Sequence, residues 1–67
     1  MPDQSPEWIR EALKLYFVVR PGIRVDSVDL LGYFRVASVL EAAEDLVRAG
    51  WLVRTDGLYP KLMRSNA

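Results

Sequence analysis

Apolar residues recur along this chain with two different periods, and the change of period divides it. Trp8, Ile9, Ala12, Leu13, Tyr16 and Phe17 return every three or four positions with Arg10, Glu11 and Lys14 between them. That spacing predicts a helix burying one broad face. Ahead of it, Ser5-Pro6-Glu7 reads as a helix start: serine as the cap, proline at the first helical position, glutamate near the positive end of the dipole. Met1 to Gln4 reads as a loose tail. Pro21-Gly22 ends the first helix, because proline cannot continue it and glycine favours a turn.

Ile23-Arg24-Val25 alternates apolar, charged, apolar, which suits a very short strand with Arg24 outward. Asp26 can then cap a second helix that runs through Leu31, with Gly32 as its stop. A third helix is predicted from about Arg35 or Val39 to Ala49, since Val36, Val39, Leu40, Ala43, Leu46 and Val47 keep helical spacing. Gly50 is placed to take the left-handed residue that follows it. Ser38-Val39-Leu40-Glu41 spells a capping box, which would start the regular helix only after Ser38. Gly32 to Ala37 would then form a longer loop with Tyr33 and Phe34 open to a partner, although a buried hydrophobic role is the better single reading of these two.

After Gly50 the period shortens to two. Trp51 to Thr55 and Leu58 to Leu62 are strand-like runs separated by Asp56-Gly57, which favours a two-residue hairpin turn. Such a turn would set Thr55 against Leu58, Val53 against Pro60 and Trp51 against Leu62 on the inward side. Arg54 would face Tyr59, and Leu52 would face Lys61, on the outward side. Pro60 lacks an N–H for a ladder, so its strand should be an edge. This places one domain over residues 5–62 and a second tail over 63–67.

Composition narrows the function more than the fold. The chain has 67 residues, 51% of them hydrophobic, and a domain this small has a thin core. Some apolar surface should therefore meet a partner or a second copy. With no cysteine and no histidine, disulfides, thiolate nucleophiles, imidazole bases and the usual zinc ligands are all missing. No glycine-rich phosphate loop or nucleophile–base pair is present, and Asp26 and Asp29 sit at a helix start, where capping explains them. The expectation is a protein that is not an enzyme, with no cofactor and no metal. No apolar run approaches a membrane span and the first residues lack a signal-peptide pattern, so no membrane partner is expected and the cytoplasm is the default. Net charge is zero, but residues 1–45 hold five basic and eight acidic residues, whereas 46–67 hold Arg48, Arg54, Lys61 and Arg64 against Asp56.

From Val39 onward, the residues Val39, Leu40, Ala43, Leu46, Gly50, Trp51, Leu52, Val53, Arg54, Asp56, Gly57, Leu58 and Tyr59 resemble the recognition helix and wing of winged helix-turn-helix proteins. The likeness extends over Ser5 to Leu62 once the short strand and second helix are included. It implies an α+β fold: a small winged helix of three helices, a carboxyl-terminal two-stranded hairpin and a short third strand at Ile23–Val25. It also implies double-stranded DNA as a partner and a role in transcription regulation, with the third helix in the major groove and the wing on the backbone. Carried over by position, Arg35, Val36, Ser38, Glu41 and Ala42 would face the groove. Arg54, Tyr59 and Lys61 would form the wing contacts, with Arg24 and Arg64 adding positive charge.

Two features depart from that pattern. Glu41, Glu44 and Asp45 make the third helix acidic, and phosphate repels carboxylates. The turn before it carries Tyr33-Phe34-Arg35 where the family usually has a small polar cap. Both favour a second reading, a winged-helix protein-interaction module or homodimer whose interface includes Tyr33, Phe34, Glu41, Glu44 and Asp45. An RNA-binding module would share the basic wing. Arg54, Tyr59 and Lys61 could equally form a cation–π pair on a solvated face, and Trp8, Tyr16, Phe17 and Trp51 are expected in the core. Convergence of Arg24, Arg35, Arg54, Lys61 and Arg64 on one face would favour DNA, and their scatter would favour protein.

Overall fold

In the computed structural model, which describes residues 6–65, the first helix α1 is Glu7–Val18. Pro6 holds the N-cap position in an extended conformation, and its carbonyl accepts from the amides of Ile9 and Arg10. Ser5, expected as the cap, lies outside the described residues, as do the tail at 1–4 and residues 66–67. Ile9, Leu13, Tyr16 and Phe17 form the buried face of α1. After the helix, the Ile23 amide bonds back to the Arg20 carbonyl at 3.1 Å around Pro21 and Gly22. Gly22 has φ 80°, the conformation that the third residue of a type II turn requires.

The second helix α2 is Ser27–Phe34, capped by the Asp26 carboxylate, which accepts from the Asp29 amide at 2.8 Å. Gly32 does not stop it. The helix runs on because Leu30 is buried and Phe34, one turn later on the same face, packs against the core. Arg35 is the residue that turns left-handed, at φ 59°, with its amide bonded to the Leu31 carbonyl. The expected loop over Gly32 to Ala37 therefore shrinks to the few residues after Phe34.

The third helix α3 is Ser38–Arg48. Its N-cap position belongs to Ala37, whose side chain cannot accept a hydrogen bond, so Ser38 lies inside the first turn and the expected capping box does not form. Val39, Ala42, Ala43 and Leu46 are its buried residues. At the other end, the Trp51 amide bonds to the Leu46 carbonyl and the Gly50 amide to the Val47 carbonyl, with Gly50 at φ 83°. This is a Schellman ending, in which glycine relieves the left-handed strain.

The two strands are β1, Leu52–Arg54, and β2, Leu62–Arg64. They pair antiparallel with Leu52 against Arg64, Val53 against Met63 and Arg54 against Leu62. The expected two-residue turn and its register are thus corrected: Asp56-Gly57 and Pro60 lie in a long loop that Thr55 and Lys61 close. The Thr55 amide donates to the Lys61 carbonyl at 2.8 Å, and the Lys61 amide donates to the Thr55 hydroxyl at 2.9 Å. The shift is odd-numbered, so it changes which face of β1 points inward. Leu52 is buried and Val53 is exposed, the reverse of the expectation. Met63 and Arg64 belong to β2 rather than to a tail.

Val25 forms an antiparallel bridge with Leu62, each amide bonding the other's carbonyl at 3.0 and 2.6 Å. The short strand expected at Ile23–Val25 is reduced to this bridge, and Leu62 is flanked on both sides instead of lying on an edge. The core comprises Ile9, Leu13, Tyr16 and Phe17 from α1, Val25, Leu30 from α2, Val39, Ala42, Ala43 and Leu46 from α3, and Leu52 and Leu62 from the hairpin. The fold is a small α+β one, three helices followed by a two-stranded antiparallel hairpin, consistent with a winged-helix layout.

Candidate interaction surfaces

Glu41 and Glu44 are exposed on α3 and Asp45 is half-buried. Together with Leu40 and Arg48 they line a shallow depression. Asp45 is held from two sides, by Arg10 of α1 at 3.6 Å and by Arg48 one turn on. Glu44 is paired with Arg54 of β1, so the wing arginine expected on phosphate, or on Tyr59, is turned onto the acidic helix. Ala42, expected to face a groove, is fully buried. Its position on the inward arc of α3 follows from its closeness to Val39, Ala43 and Leu46 on the helical wheel.

Two of the basic residues of the hairpin are engaged within the fold. Leu52 and Leu62 occupy the inner face of the hairpin between Arg54 and Arg64, which sit at diagonal corners by the strand register. Arg54 reaches α3, while the Arg64 guanidinium lies 4.3 Å from the centre of the Trp51 ring, near Phe17 and the Pro21-Gly22 turn. Arg24 and Lys61 precede the two partners of the antiparallel Val25–Leu62 bridge and so flank it at opposite ends. Arg35 is exposed at the α2–α3 turn, Ser38 is half-buried, and Tyr59 is exposed in the wing loop.

A second surface lies along α1 and the end of α2. Trp8, expected in the core, is 62% exposed, and Leu15 and Val19 are each more than half exposed. Trp8, Ala12, Leu15 and Val19 follow one another at intervals of four, three and four, which at 3.6 residues per turn places them on one narrow stripe. The stripe lies beside the buried arc, on the side of α1 away from Arg10 and its contact with α3. Ala12, Leu15, Tyr16, Val19, Arg20, Tyr33 and Phe34 border an open groove of about 340 Å³ there.

Aromatic contacts give this groove a fixed wall. The Tyr16 and Tyr33 rings meet edge to face at 4.9 Å between centroids, and Tyr33 and Phe34 do so at 5.1 Å. Arg20 lies 4.2 Å from the Tyr16 ring centre and 5.2 Å from that of Tyr33. Its guanidinium also donates to the Tyr16 carbonyl at 3.2 Å and to the Tyr33 hydroxyl at 3.4 Å. Tyr33 and Phe34 were legible as contact candidates, but Leu15, Val19 and Arg20 were not. The signal that finds Leu15 and Val19 is the second four-three-four stripe, which overlaps the core stripe and is hidden by it, and no pattern singles out Arg20.

Among the described residues no group of three acidic, histidine or cysteine side chains could hold a metal ion, and no helix is long and apolar enough to cross a membrane. Comparison with known protein families, with curated proteins and with solved structures gave no match.

Proposed function

We infer that this chain is a small winged-helix module that binds protein through the α1–α2 face and carries out no chemistry of its own. The observation that carries the reading is the exposed stripe of Trp8, Leu15 and Val19 running into the groove walled by Tyr33 and Phe34. Apolar surface gathered in one strip costs solubility unless something covers it. Charge supports the same reading. A helix meant for the major groove offers donors to base edges and phosphates, whereas α3 offers Glu41 and Glu44 and draws Arg54 to itself.

A second reading, binding of double-stranded DNA, is favoured by Arg35 at the exposed turn before α3 and by Tyr59 and Lys61 in the exposed wing loop. Titration of duplex DNA at low salt separates the two. No mobility shift is expected. A shift that Arg35→Ala and Lys61→Ala each weaken, with a flatter salt dependence, would overturn the protein-binding reading in favour of DNA. Paired affinity capture with the wild-type chain and Leu15→Glu supplies the positive arm: a partner, a second copy included, that the first retains and the second loses.

A further inference from the structure

We propose that the partner on the α1–α2 face is a second copy of this chain, packed with its α1 antiparallel to the first. The pairing rests on the protein-binding reading above and adds the identity of what is bound. A two-fold axis passing between Ala12 and Leu15 sets Ala12 of each copy against Leu15 of the other, and Trp8 of each against Val19 of the other. A smaller residue thus faces a larger one at both levels, which suits interdigitating helices. The parallel alternative sets Trp8 on Trp8 and Ala12 on Ala12, and it also brings the first turns, each with Glu7, together.

The antiparallel arrangement explains the groove as well. Val19 lines it with Leu15, Tyr33 and Phe34, so the partner's Trp8 is delivered to its mouth, beside the Arg20 guanidinium. Each copy therefore supplies one protruding indole and one receiving groove on the same face, which is what an isologous contact needs. The area reaches the low end of what specific dimers bury. Fully exposed side chains present roughly 60–120 Å² when aliphatic and 150–250 Å² when aromatic. Scaled by the exposures of Trp8, Leu15, Val19 and Tyr33, the face offers about 350 Å² of apolar surface per copy. A standard interface buries roughly 800 Å² per partner, a little over half of it apolar.

The full chain, followed by sedimentation over micromolar concentrations, is expected to pass from monomer to dimer. Trp8→Ala and Leu15→Glu each weaken the dimer by roughly 30-fold or more, as central interface residues do. Both positions are exposed in the single chain, and circular dichroism confirms that each variant is folded. Orientation is read by mixing the Ala12→Cys and Leu15→Cys variants, since the chain has no cysteine of its own. Mixed disulfides should dominate under mild oxidation. Self-disulfides of Ala12→Cys in equal or greater amount overturn the antiparallel pairing, and so does a dimer indifferent to both Trp8→Ala and Leu15→Glu. A chain that stays monomeric at every concentration also overturns it. That result leaves the protein-binding reading standing, because the affinity capture and the duplex titration test that one separately.

Discussion

Arg35 holds a left-handed backbone at φ 59° at the exposed end of α2, a conformation that disfavours any residue with a Cβ by about 1–2 kcal/mol. Three residues earlier, Gly32 sits inside the same helix with nothing within 4 Å of where a Cβ would stand. A helical glycine is about 1 kcal/mol less favourable than alanine. Gly32→Ala is therefore expected to stabilise the domain by about 1 kcal/mol, and Arg35→Gly by a similar or smaller amount once the added chain freedom is deducted. For a domain of this size each such gain raises the melting temperature by about 4–8 °C. The sign is the test: had Gly32 ended the helix in a left-handed conformation, the alanine variant would melt lower. Glycine invites a stop by its residue type, but Leu30 and Phe34 on the buried face carry the helix past it.

At the scale of elements, the three helices were legible because a 3.6-residue period, sustained over two or three turns, has few competing explanations. Asp26 as a cap and Gly50 as a terminator were legible for the same local reason. The hairpin existed where expected, but its register did not follow from Asp56-Gly57. A turn preference of this kind is local, whereas the register is decided by which leucines reach the core, and burying Leu52 and Leu62 together requires the longer loop. Pro60, awkward in a strand, is accommodated in that loop without losing a ladder bond. Thr55 closes the loop with its backbone and its hydroxyl, so Thr55→Val should destabilise the hairpin by about 0.5–1.5 kcal/mol. Urea unfolding monitored by circular dichroism checks it, and an unchanged midpoint would mean that the hydroxyl contributes nothing. The candidate site was half legible: Tyr33 and Phe34 stood out as aromatics at a turn, but one helix bearing two adjacent apolar stripes reads, by pattern alone, as one broad core face.

For the whole molecule, every element contributes to a single core, and none of them has another one to rely on. Small domains keep a narrow stability margin, so removing one buried leucine consumes much of it. Leu62→Ala is expected to cost about 2–5 kcal/mol, measured by denaturant titration, and to leave a visible unfolded fraction near physiological temperature. Leu62 is the sensitive choice because it is only 3% exposed and its backbone is bonded to Val25 as well as lying beside β1. A variant with unchanged stability would show that β2 is dispensable to the core.

The Val25–Leu62 bridge also bears on the order of events during folding. It ties the link between α1 and α2 to β2, a pairing of residues 37 positions apart in the chain, so the helices can form from local contacts before anything lies across the base of their packing. Until β2 docks, the apolar surface around Val25 and Leu52 stays open to water, to chaperones or to neighbouring chains. Helix formation can come early, but closure of the domain waits for this most distant contact.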